Sequence, residues 1–148
     1  MDTSARVLRV AALVLRLALA GIFLYAAYTK LTLPWQIFAM SIDSFQFFPP
    51  WVVEWSARTL PWIELAVGLV LLSGRFRRSA ALASTLLLLV FNFLIVRAYL
   101  RNDQVDCGCF GPGGVLDWKK LVEDGSMLAA SIFVLYVAVR EHRKRGKV

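Results

Sequence analysis

Four apolar windows, about Val10 to Leu33, Val52 to Ser73, Ser79 to Leu100 and Val122 to Val139, constrain this chain more than any motif in it. A hydrocarbon core about 30 Å thick takes about 20 residues of helix to cross, and each window is near that length. None alternates apolar and polar residues as a barrel strand would, and Leu and Ala dominate, so the windows predict helices. The chain is 59% hydrophobic with a mean hydropathy of +0.63, well above the norm for soluble domains. The expected fold class is therefore all-α: an integral membrane four-helix bundle forming one domain over residues 1–148, with 140–148 as a basic tail.

The first window has a competing reading. Arg6 and Arg9 followed by apolar residues and the "ALA" of residues 18–20 look like a cleaved signal peptide. Arg16 interrupts the would-be apolar region, and "GIFLYAAY" carries the apolar run well past the cut, so a retained helix is expected.

A net charge of +7 raises nucleic acid as a partner, but the basic residues gather at the ends of apolar runs and in the tail, not in a stripe. Lipid is the partner this pattern predicts, and the pattern also sets orientation. Arg6 and Arg9, then Arg75, Arg77 and Arg78, then Arg140, Arg143, Lys144, Arg145 and Lys147 all belong on the cytoplasmic side of a cell inner (plasma) membrane. Both termini are then cytoplasmic, which satisfies the requirement that four spans leave both on one side. The connections 32–51 and 101–121 face outward. All five tryptophans, Trp35, Trp51, Trp55, Trp62 and Trp118, fall near that outer face, which predicts an aromatic belt ahead of a stacking wall for a quinone.

The outward connection before the last helix, "VDCGCFGPGG", holds the only two cysteines, Cys107 and Cys109. In an oxidising compartment such a pair tends toward a disulfide. As a staple it does little, because stabilisation grows with the length of the closed loop and this loop is minimal. Gly108 lets the backbone fold tightly enough to bring the thiols together, and strained, accessible disulfides are the exchangeable ones. Two adjacent thiolates also suit a soft ion such as Cu(I), whereas a closed zinc site needs four ligands, and the lone His142 lies on the opposite side. Redox exchange leads, with metal binding second and an inert loop third.

Ionisable residues inside a span mark either function or interhelical glue. Glu64 falls near the midplane of the second window, Asn92 slightly further outward on the third, and Lys30 and Arg97 near the outer boundary. Convergence of the four beneath the cysteine segment is expected, with Glu64 bonded to Asn92, Lys30 or Arg97. In a functional version Lys30 and Arg97 stabilise a thiolate and Glu64 carries a proton. Arg16 is expected to snorkel. Pro61 should kink or break its helix at Leu60. Asp117 is a candidate helix cap, with Glu123 and Asp124 read as structural acids at the positive end of the last helix.

Three stretches, "AGIFLYAAYTKL", "PWIELAVGLVLLSG" and "DCGCFG", together resemble the methylamine utilisation protein MauE family, within the wider DoxX-like group of small four-helix membrane proteins. The resemblance runs along essentially the whole chain, and Lys30, Glu64, Cys107, Cys109, Phe110 and Gly111 match its pattern. It implies a bundle engaged in thiol–disulfide exchange with an extracytoplasmic thioredoxin-like partner. Family members linked to methylamine oxidation are implicated in maturing the disulfide-rich small subunit of methylamine dehydrogenase. The chain shows no flavin or nucleotide fingerprint, so the electrons must be passed to or from a second protein or a membrane quinone. The competing classes are a non-enzymatic assembly or anchor subunit, binding copper through the same cysteines, and a small-solute permease supported only by Glu64.

Overall fold

A computed structural model describes residues 3–106 and 114–146. It contains five helices: α1 (Thr3–Leu31), α2 (Trp35–Ser44), α3 (Pro50–Ser73), α4 (Arg77–Leu100) and α5 (Trp118–Arg145). All but α2 are long and apolar enough to cross a membrane, in line with the expected all-α bundle. Among the described residues the one extended pairing is an isolated antiparallel bridge between Asp106 and Val115.

The four long helices form a ring in which α1 packs between α3 and α5, and α4 packs against α5 and α3. Each presents a seam at alternating spacings of three and four residues, the spacing that keeps one stripe of a helix facing its neighbours. On α1 the seam is Ala20, Phe23, Ala27 and Lys30; on α3 it is Val53, Ala57, Pro61, Glu64, Gly68 and Leu71. Small residues set the separation. A Cβ on Gly68 would lie 2.9 Å from Leu24 Cγ and 3.2 Å from the Leu24 backbone nitrogen, so α1 and α3 approach there closely enough to require glycine. Between α4 and α5 the buried Ser131 hydroxyl lies 2.8 Å from both Ser84 and Thr85, whose hydroxyls also reach Ala81 O. Three protons serve these four contacts, a polar weld inside an otherwise apolar seam.

The start of α1 and the last turns of α5 lie at one end of the bundle together with the α3–α4 connection, because Glu141 pairs with Arg9 at 3.1 Å and with Arg77 at 3.5 Å. The three basic clusters expected on a single side are thus neighbours in space. The opposite end carries α2, the end of α4 and the start of α5.

The structure corrects several expectations. The connection 32–51 contains α2, whose Phe38 and Ser41 are buried, with Phe45 just beyond. This helix is too short to register as a span, but its buried positions follow helical spacing and Pro34 precedes its first turn. Helix α1 begins seven residues before Val10, since Arg6 and Arg9 end the apolar window without interrupting helical backbone. Helix α5 starts at Trp118, where Asp117 caps it by accepting from the Trp118 amide at 2.7 Å. Pro61 does not end α3, which runs unbroken through it. One missing ladder bond is tolerated in a 24-residue helix whose neighbouring positions Ala57 and Glu64 are locked in packing.

Candidate functional site

Lys30 lies in the last turn of α1, and its long side chain runs along the seam to Glu64 of α3. The ammonium donates to both carboxylate oxygens at 2.8 Å, and the two side chains are 2% and 4% exposed. Aromatic rings close the surroundings: Lys30 Nζ is 4.9 Å from the Phe38 ring centre and 5.9 Å from that of Phe91. The role of α2 follows from this. Helix α3 continues outward for about two to three turns beyond the level of Lys30, α2 packs on that extension, and Phe38 roofs the ion pair.

Beside the pair is a cavity of about 40 Å³, walled by Phe23, Leu88 and Met127 with Lys30, Glu64, Asn92 and Asp124 as its polar members. Its size suits one to three water molecules and is far too small for a quinone ring. Asp124 is 4% exposed, and its buried Oδ2 has no hydrogen-bond partner. Asn92 does not reach Glu64. Its amide nitrogen donates to Leu88 O at 2.9 Å and across the seam to Asp124 O at 3.1 Å.

The expected four-residue cluster is therefore redrawn. Lys30, Glu64 and Asn92 share one cavity, and Arg97 is elsewhere. Its guanidinium reaches Phe45 O at 3.5 Å and stacks 4.9 Å from the Phe47 ring centre, tying α4 to the segment between α2 and α3. Five residues separate Arg97 from Asn92, a turn of about 140° around the helix, so the two cannot face the same way. Asp124 takes the vacated place. The sequence places it among structural acids at the positive end of the last helix; α5 begins at Trp118, which puts Asp124 in the second turn, on the packed face. The signal that identifies it is its helical spacing to Met127, Ser131, Val134 and Ala138 on the packed face of α5.

Arg16 is only partly a snorkelling residue. A Cβ on Gly74 would lie 2.7 Å from its Nη1, so the guanidinium is tucked against the C-terminal turn of α3, where a cation meets the negative end of the helix dipole. Gly74 also has φ 67°, the left-handed cap that glycine adopts freely.

Cys107 and Cys109, with Phe110 and Gly111, lie outside the described residues. Asp106 and Val115 flank that segment, and their bridge lies at the bundle end remote from Arg9 and Arg77. Among the described residues no three His, Cys, Asp or Glu side chains gather into a metal site. Trp51, Trp55, Trp62 and Trp118 are exposed, the state an interfacial belt requires.

Comparison with known proteins gives this arrangement a lineage. The model of the methylamine utilisation protein MauE family matches residues 8–137. The chain is 35% identical over 100 residues to methylamine utilization protein MauE of Paracoccus denitrificans, an alignment covering 67% of this chain and 53% of that protein. It is 32% identical over 69 residues to the MauE protein of Methylophilus methylotrophus, covering 46% of this chain and 36% of that one. The matched region thus spans about half of the first relative and about a third of the second. No solved structure matches the chain. With the family model matching residues 8–137 and so reaching all four long helices, the chain belongs to the methylamine utilisation protein MauE family.

Proposed function

We propose that this protein is a membrane thiol–disulfide exchanger that works through Cys107 and Cys109 on an extracytoplasmic thioredoxin-like partner. The observation that carries the reading is the Asp106–Val115 bridge, which gathers the ends of the dithiol segment at the bundle end opposite Arg9, Arg75, Arg77 and Arg78. By the positive-inside rule that end is extracytoplasmic, in the cell inner membrane, where a dithiol is exposed to oxidants and to secreted partners.

The chemistry balances without any group bound in the bundle. The thiolate of one cysteine attacks a partner disulfide, forming a mixed disulfide and releasing one partner thiolate. The second cysteine then attacks the mixed bond, closing Cys107–Cys109 and releasing the second partner thiol. The partner gains two electrons and two protons, and this chain loses them. The reverse sequence oxidises the partner. A membrane quinone or a second protein resets the pair. Lys30, Glu64 and Asp124 hold the ionisable groups through which protons reach the outer end of the bundle, and Arg97 braces that end. The relatives are named for methylamine utilization, and the substrate proposed for this chain is a disulfide-bearing protein of that process.

In intact cells, a membrane-impermeant maleimide should label both cysteines once an external reductant has opened the pair, and label neither before. Labelling that requires lysis would overturn the reading.

A further inference from the structure

A second site lies at the arginine-bearing end, between the start of α4 and the last turns of α5. A cleft of about 680 Å³ opens there, and its lining is divided by chemistry. Leu82, Leu135 and Val139 form the wall toward the bundle, and Arg75, Arg77, Arg78 and His142 form the rim. The single acid in the lining, Glu141, is already shared by Arg9 at 3.1 Å and Arg77 at 3.5 Å. Arg77 also spends its Nε on Gly74 O at 3.3 Å. Among the described residues neither Arg75 nor Arg78 enters an ion pair, and both are exposed.

We propose that this cleft binds the headgroup of one anionic phospholipid. Helix α3 ends at Ser73 and α4 starts at Arg77, so the rim is at the depth where hydrocarbon gives way to headgroups. A phosphodiester there meets two guanidiniums whose forked donors match its oxygens and which no acid among the described residues pairs. The acyl chains of the same molecule continue along Leu82 and Leu135, the apolar wall. A free phosphate would use the rim alone and leave that wall uncovered. A zwitterionic lipid would bring a second cation to a rim that is already positive. Basic clefts between membrane helices recognise anionic headgroups by this combination of charge and apolar seat.

The test is native mass spectrometry of the full chain in detergent with phosphatidylglycerol, phosphatidylcholine or inorganic phosphate. One phosphatidylglycerol per chain should be retained at concentrations where phosphatidylcholine and phosphate are not. The double variant R75Q/R78Q should weaken retention about tenfold to thirtyfold, at the scale of two basic residues at a lipid surface. The control R143Q/K144Q removes the same charge from the α5 tail, where neither residue lines the cleft, and should change retention less than about twofold, well short of the effect of two basic residues within the site. Val139→Trp lays an indole across the apolar wall without altering charge and should release the lipid too, which decides the matter if the arginine variant misfolds. Equal retention of phosphatidylcholine, displacement by millimolar phosphate, equal loss in the control, or retention by Val139→Trp would each overturn the proposal.

Discussion

A chain carrying Glu64→Gln with Lys30 intact is expected to lose about 3–5 kcal/mol of stability, the cost of leaving one charge of a buried pair without its partner. Both side chains are nearly inaccessible, and the ammonium bonds both carboxylate oxygens at 2.8 Å, so neither charge can turn to bulk solvent. Phe38 and Phe91 stabilise the cation through their ring faces but supply no counter-charge. The double variant K30M/E64L removes both charges at similar volume and should recover most of the loss, because a buried ion pair is rarely more stabilising than well-packed apolar groups. Equilibrium unfolding in mixed micelles measures both. A fully recovered double variant that exchanges thiols slowly would assign the pair to proton movement. One that exchanges at the wild-type rate would make it an interhelical lock. A single variant as stable as wild type would contradict the buried geometry itself.

The largest chemical effect is expected at the cysteines. Reduced wild-type protein treated with glutathione disulfide should pass through a glutathione adduct to an internal Cys107–Cys109 disulfide, with the adduct present only in trace amounts. Cys107→Ala and Cys109→Ala lack the resolving thiol, so each should stop at a near-stoichiometric glutathione adduct, visible by intact mass. Stability should change little, since a ring closed across one intervening residue removes almost no chain entropy from the unfolded state. A wild-type protein that also stops at the adduct would show that the two thiols do not resolve one another.

The membrane helices were legible because hydropathy and helix length answer to the same bilayer thickness. Their true ends were less so: the windows mark where hydrocarbon begins, whereas Pro50 and the Asp117 cap mark where helical backbone begins. Helix α2 escaped notice because its 10 residues cannot span a membrane, although it supplies Phe38 to the ion pair. Lys30 and Glu64 stood out as charges in apolar surroundings, and they meet. Arg97 stood out in the same way and faces elsewhere, because depth along a helix says nothing of azimuth around it, while Asn92 shares their cavity but donates to Leu88 O and Asp124 O. Asp124 shows the converse. Its neighbours Lys119, Lys120 and Glu123 gave it the look of a solvated helix start, and only its register with Ser131 and Ala138 reveals a buried carboxylate. The apolar seams also left the tight contact at Gly68 unannounced, since any small residue fits the pattern and only the 2.9 Å approach to Leu24 demands glycine.

The most direct measurement is trapping in living cells. Membranes from cells expressing Cys107→Ala or Cys109→Ala, quenched with acid and run without reductant, should contain one of the two variants as a reductant-sensitive adduct with an extracytoplasmic thioredoxin-like protein. The wild type should show little of it. Neither variant forming an adduct, together with tight stoichiometric Cu(I) on the purified wild-type chain, would contradict thiol exchange and make the cysteine pair a metal site.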